Sequence, residues 1–258
     1  AAVNGHWMCD EGMLDYRRVN EGRVLKATVG KEETTLGAAL DRAASALKGV
    51  TGERIAIVLS AQHSNEDNFA LLRLARDVLG TTNVFMGGKP NGEGDKVLRH
   101  PDKNPNSRGV AALAAATPPR PMQDLTASVV MAEYSAILAL GADTRDLADA
   151  SSLKTSGATV VLAAHHGPLA AQATVLLPAS SWAESDGTYV NAKGIAQESE
   201  QAFGPLGDSR PAWKLLAGLA LRLGKDFGWR KLADVRAAMQ PEPGPASAKG
   251  GSTVGASS

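Results

Sequence analysis

The sequence predicts an α/β fold organised around a doubly wound sheet, and three observations carry that prediction. Short, continuously apolar runs recur at 55–59, 136–140 and 159–163, each the length of a strand buried on both faces. Between some of them lie stretches whose apolar residues recur at helical spacing. Clusters of Gly, Pro and Asn separate these patterns, and strand and helix in alternation give a largely parallel sheet.

The elements follow in order. Residues 1–30 read as an irregular or β-rich lead-in, with the apolar pair Trp7-Met8 and a turn at Gly12. The main α/β region spans 31–240. Leu36, Leu40, Ala43, Ala44 and Leu47 form one helical stripe, closed by Gly49 and Gly52. After the strand 55–59, Ser64 is a candidate N-cap with Asp67 three residues on, and Phe69, Leu72, Ala75, Val78 and Leu79 form the next buried stripe up to Gly80. A strand is expected at 83–86, then a loop rich in Gly, Asn, Pro and charge over 87–109. Helical patterns at 110–116 and 122–134 flank the breaker Thr117-Pro118-Pro119-Arg120-Pro121. A second α/β rhythm then starts with the strand 136–140, a short helix at 145–153 and the strand 159–163. It continues with a helical turn at 170–173 and a strand at 174–177, stopped by Pro178. Pro211 suits the first position of a helix running to 223, and a last helix is expected at 230–239. The tail 241–258 has no apolar face to bury and is expected to be disordered.

Composition narrows the function classes. Lys plus Arg and Asp plus Glu both total 27, so no global field steers the protein toward nucleic acid or an anionic bilayer. The single cysteine, Cys9, excludes an intramolecular disulfide and cannot alone hold a zinc ion or an iron–sulfur cluster. The apolar runs fall far short of the ~18 residues of a membrane helix, and no secretory signal is evident, so a cytoplasmic protein is expected.

Several residues have candidate chemistry. Glu184, ahead of Gly187-Thr188, could place a carboxylate for acid–base work or a ligand; the competing reading is a turn at Asp186-Gly187 whose neighbouring carboxylate caps exposed amides. His165-His166 follows a predicted strand at the end where open α/β sheets bind ligands, but adjacent histidines lack the spacing of a shared metal site and more often hydrogen-bond a loop. Gly87-Gly88 and Gly92-x-Gly94 lack both the P-loop and the dinucleotide spacing. His100, Lys103, Arg108 and the Asn104-Pro105-Asn106 between them read as solvated loop rather than an anion site. Asp10 and Glu11 beside Cys9 raise a thiol pKa, which argues against a nucleophile.

Two stretches together carry a family resemblance. "VNGHWMCDEGMLDYRRVNEGRV" resembles the segment of molybdopterin-type oxidoreductases that supplies the last cluster cysteine. Glu184, Gly187, Thr188, Asn191, Gly194 and Gln197 match their later signature Glu-x-x-Gly-Thr-x-x-Asn-x-x-Gly-x-x-Gln, preceded by "LLPA" at 176–179 and followed by "LGDSRPAWKLLAGLALRLG". Within that superfamily the chain resembles the large iron–sulfur subunit of bacterial NADH:quinone oxidoreductase, respiratory complex I. The resemblance implies Rossmann-like doubly wound sheets of the molybdopterin-oxidoreductase type, with residues 1–30 as the end of a cluster-binding domain.

It also implies that Cys9 is a fourth iron–sulfur ligand if partner cysteines come from outside this chain, which reads as a truncated or carboxyl-terminal part. Where the family often has arginine, the chain has Met13 and Ile195, neither of which can pair with a phosphate. The signature residues therefore read as a relic, and no catalytic residue is assigned. The expected role is a non-catalytic scaffold in the peripheral arm of an NADH dehydrogenase (quinone), with no cofactor on this chain. Iron–sulfur clusters and flavin would sit in partner domains or subunits, with the assembly peripheral at the inner face of the cell membrane. The alternative is a fragment of a molybdopterin-dependent oxidoreductase such as formate dehydrogenase, with a site around His165, Glu184 and Asn191. A free-standing Rossmann-like binding protein ranks last.

Overall fold

The computed structural model describes residues 13–95, 99–145, 150–153, 155 and 157–240. Cys9 and the tail 241–258 lie outside them, as do residues 146–149 of the helix expected at 145–153.

A 3-10 turn at Asp15–Asn20 leads into an antiparallel hairpin, β1 (Ala27–Val29) and β2 (Glu32–Thr34). Helix α1 (Leu36–Leu47) begins where the Thr35 hydroxyl accepts the Ala38 amide proton. Strand β3 (Ile55–Ser60) is buried along its whole length, as an apolar run of that kind demands. Helix α2 (Asn65–Leu74) is capped by Ser64, continues as a π turn over Ala75–Leu79, and ends at Gly80 with φ +64°. Then come β4 (Val84–Gly87), α3 (Ser107–Leu113), β5 (Arg120–Pro121) and α4 (Met122–Val130). Next are β6 (Ala136–Leu140), β7 (Ala158–Ala163) and β8 (Val175–Pro178). A second hairpin, β9 (Gly187–Val190) and β10 (Ala196–Ser199), precedes α5 (Ala212–Arg222) and α6 (Leu232–Met239).

Eight strands form one sheet in the order β2-β1-β8-β7-β6-β3-β4-β5. From β5 to β8 every pairing is parallel, and β1 and β2 close the edge antiparallel. After the edge hairpin, the parallel part starts at its centre with β3, winds outward through β4 and β5, returns beside β3 as β6, and winds the other way through β7 and β8. This is the doubly wound order, and the two α/β rhythms of the sequence share a single sheet.

Alternate residues of each strand feed opposite cores, as the period of two requires. Ile55, Ile57 and Leu59 join Leu138, Leu140, Val160 and Leu162 under α1, α2 and α5. Ala56 and Val58 join Phe85, Ile137, Val161 and the α4 residues Met122 and Leu125 on the other face.

Several expectations need correction. Helix α4 stops at Val130 rather than 134, because Ala132 takes a left-handed φ of +57°. Helix α3 starts at Ser107, inside the segment expected to be loop, and Pro211 is the N-cap of α5 rather than its first helical residue. In α2 the fully buried apolar residues are Ala70, Leu71 and Leu74, while Phe69 and Leu72 pack at the margin. The helix lies between α5 and the sheet, so its burial extends beyond a single stripe.

Candidate functional site

The point where the winding reverses lies between β3 and β6. There the two strands send their following loops in opposite directions, leaving a crevice at their carboxyl ends. A cleft of about 680 Å³ occupies this position. Gln62 and His63 line it after β3, and Gly141 to Asp143 after β6. Lys89 and Lys103 come from the loop after β4, His165 from the loop after β7, and Ser181 and Trp182 from the loop after β8. Tyr189 and Ser199 of the β9–β10 hairpin, with Arg18, Val19 and Glu21 of the lead-in, form the outer wall.

Local chemistry holds these walls in place. Gly141 has a φ of +81°, and a Cβ there would stand 2.7 Å from the Ser60 hydroxyl, so only glycine lets the two strand ends approach. The lead-in pairs with the loop after β7, the His166 amide donating to Gly22 O (2.7 Å) and the Val24 amide to Ala164 O (3.0 Å). The first turn of α2 is polar yet buried. The Asn68 carboxamide closes the β3–α2 loop by accepting from the Ser60 amide and donating to the Ser60 and Ser64 carbonyls. Asp67 accepts from the Trp213 amide (2.9 Å), tying α2 to the start of α5. Glu66, with no exposed surface, accepts from the Thr188 amide and hydroxyl (both 2.8 Å) and from Arg236 Nε (2.8 Å). Asn106 adds a second tether to the hairpin by accepting from the Val190 amide (2.8 Å).

Glu184 is 1 % exposed. Its two oxygens take a bidentate pair of hydrogen bonds from Arg23 (3.0 and 2.5 Å), itself 8 % exposed, and further bonds from the Ser181 (2.7 Å) and Leu206 (2.8 Å) amides. Burial alone would raise its pKa, but Arg23 and the two amides outweigh it and hold the carboxyl below the usual range. Of the two amides that the carboxylate caps, that of Ser181 is enclosed, whereas Leu206 stands at the surface.

The other signature residues do not gather around it. Gly187 packs on Ser64, where a Cβ would stand 2.7 Å from the serine Cβ, and Thr188 turns to Glu66. Asn191 and Gly194 (φ +82°) build the hairpin turn, with Asn191 Oδ1 accepting from the Lys193 and Ile195 amides. Gln197 lies on β10, and its side-chain oxygen accepts from Asn191 Nδ2 (3.4 Å). Met13 and Ile195 are exposed.

His165 does reach the cleft. Its Nε2 lies 3.2 Å from Val19 O, and burial, with Arg23 and Lys89 nearby, lowers its pKa. The phenol of Tyr189 is pushed in the opposite direction by burial and by the carboxylates of Asp67 and Glu66.

Of Lys103 and Asn106, both expected in solvated loop, the first lines the cleft and the second tethers the hairpin, whereas the sequence reading did not single out Glu66 or Ser181. The hairpin had a signal: the β-branched and aromatic run Gly-Thr-Tyr-Val, then Asn-Ala-Lys-Gly. Glu66 had none, because an acidic first turn is ordinary for a solvated helix.

Among the described residues, no three of His, Cys, Asp and Glu stand together as a metal-binding group. Cys9, the iron–sulfur candidate, lies outside them. Of His165, Glu184 and Asn191, only His165 lines the cleft.

The sequence pattern of the molybdopterin oxidoreductase family matches residues 117–222. The chain is 30% identical over 211 residues to the mitochondrial 78 kDa subunit of NADH-ubiquinone oxidoreductase of Candida albicans (strain SC5314 / ATCC MYA-2876). That alignment covers 79% of this chain and 27% of the fungal protein. A putative formate dehydrogenase of Staphylococcus aureus (strain USA300) is 42% identical over 66 residues, covering 26% of this chain and 7% of that one. Acetylene hydratase from Pelobacter acetylenicus superposes with a TM-score of 0.37 at 19% identity, over 46% of this chain and 18% of that chain. The chain thus spans about a quarter or less of each of these relatives. Residues 117–222, which run from the β4–β5 connection to the end of α5, are the part of the chain similar to molybdopterin oxidoreductases.

Proposed function

We propose that the chain is a non-catalytic scaffold within the peripheral arm of an NADH:quinone oxidoreductase. In this reading it packs against flavin- and cluster-bearing partners, and electrons pass through groups held outside it. The observation that carries the reading is the state of Glu184. The acid that heads the signature is enclosed, with both oxygens occupied by Arg23 and two backbone amides, and it has no free face to offer a substrate. The length of the likeness to the 78 kDa subunit supports the same reading.

The shorter but closer likeness to formate dehydrogenase supports a second reading, a fragment of a molybdopterin-dependent oxidoreductase. Native mass spectrometry of the untagged protein isolated anaerobically from its source, with metal analysis, separates the two. The scaffold reading expects a large assembly with flavin and iron–sulfur subunits and no molybdenum or tungsten on this chain. Stoichiometric molybdenum or tungsten would overturn it.

A further inference from the structure

We propose that His165 is an acid-sensitive latch: its neutral ring clips the lead-in to the loop after β7, and a second ring proton loosens that joint while the sheet stays folded. Residues 19–24 lie against that loop through a short run of contacts. The His166 amide donates to Gly22 O (2.7 Å) and the Val24 amide to Ala164 O (3.0 Å). Arg23 Nε also donates to Ala164 O (3.0 Å), and Arg23 pairs with His165 as an isolated antiparallel bridge. The imidazole adds its own bond, with Nε2 3.2 Å from Val19 O. A carbonyl oxygen only accepts, so Nε2 carries the hydrogen, and Nδ1 of the neutral ring has none. The proton that acid adds therefore goes to Nδ1.

What faces the ring decides which way that proton acts. Arg18, Glu21 and Arg23 come from the lead-in, Lys89 follows β4, Asp143 follows β6, Glu184 follows β8, and His166 is the next residue on the same loop. The Val19 carbonyl and the Glu184 carboxylate favour the imidazolium, but Glu184 is already held by the bidentate pair from Arg23. Burial, the largest influence, opposes the charged ring together with Arg23 and Lys89, and these prevail, so the pKa lies below its usual value. In a loosened joint the ring reaches water and returns to about 6.5. The open form thus takes up a proton at higher pH than the closed one. The latch holds fully above about pH 6.5 and weakens as pH falls through that value toward the lowered one of the closed form. Glu184, its own pKa lowered, stays ionised until below about pH 4.3, so the two groups act in separate windows. Because Arg18, Val19 and Glu21 form the outer wall of the cleft, loosening the lead-in opens that wall.

The test is amide hydrogen exchange of the 258-residue chain between about pH 7 and about pH 5, expressed as protection factors so that the intrinsic pH dependence of exchange drops out. Protection of the His166 and Val24 amides is expected to fall about fivefold across this range, within the roughly tenfold per pH unit that one proton supplies. Circular dichroism should show the chain still folded at the acid end. His165→Gln, which still donates to Val19 O but does not titrate, should flatten the dependence, and His166→Gln should leave it in place. Titration of the His165 ring resonance in the unaltered protein needs no substitution, and its midpoint is expected below about 6.5. A midpoint at or above that value, protection independent of pH, or the same dependence in His165→Gln as in the unaltered chain overturns the proposal. None of these outcomes depends on the scaffold reading, because all are measured on the isolated chain.

Discussion

Two buried glutamates pin the loops around the cleft, and they do so with different partners. Glu184 pairs with Arg23, both enclosed, and joins the lead-in to the loop after β8. Glu66 pairs with Arg236, whose side chain keeps 32% of its surface in solvent, and joins α2 to the β9–β10 hairpin and α6. Removing a carboxylate that faces a buried guanidinium strands a charge in a low-dielectric site. Removing one that faces a half-exposed guanidinium lets the arginine turn to water. The first pair is therefore a rigid joint between chain segments, and the second is a tether that can yield.

The largest expected effect follows directly. Glu184→Ala should cost about 3–5 kcal/mol in denaturant unfolding, since it leaves Arg23 charged and unpaired. Replacing both partners, Arg23→Met with Glu184→Leu, should recover much of that loss; a double variant as unstable as the single one would show that the charge is not the cause. Next, Glu66→Gln should cost about 1–3 kcal/mol, because glutamine still accepts from Thr188. Amide exchange should then quicken at Thr188 and Val190 but not at His166, and equal quickening at both would erase the distinction between joint and tether. Arg236→Ala should cost a similar amount, about 1–3 kcal/mol, because it leaves the enclosed Glu66 carboxylate with only Thr188 to serve it.

Acid tests the first of these pairs. The folded pKa of Glu184 lies below its unfolded value of about 4.3. The stability it contributes is complete above that value and is lost as pH falls through the depressed folded pKa. Below about pH 4.3, wild-type stability should therefore fall more steeply than that of Glu184→Gln, and parallel curves would contradict the assignment. If the scaffold reading holds, Glu184→Gln in the assembled complex should leave NADH oxidation nearly unchanged. A loss of orders of magnitude with the assembly intact would break it.

How much of this was legible follows from how each feature is encoded. The strands at 55–60, 136–140 and 158–163 were readable because a strand buried on both faces must be apolar throughout. The caps at Thr35 and Ser64 were readable because a hydroxyl there serves the amides of the next turn. His165 was correctly placed at a strand's carboxyl end, whereas its neighbours in the cleft were not foreseeable. Lys103 and Ser181 stand among residues typical of solvent and become site residues only when loops far apart in sequence meet.

By itself, then, the sequence determined the α/β alternation, the apolar strands, the helix starts and the family signature, all of them local patterns set by periodicity and short-range hydrogen bonding. Tertiary structure alone decided that β3 and β6 lie side by side and open the cleft between their ends. It also decided that Glu184 and Glu66 are enclosed, and that the Ser181 hydroxyl is left without a partner among the described residues. A carboxylate or hydroxyl is written identically in sequence whether it meets water or a buried arginine. Only the packing of distant segments removes the water and settles which it meets.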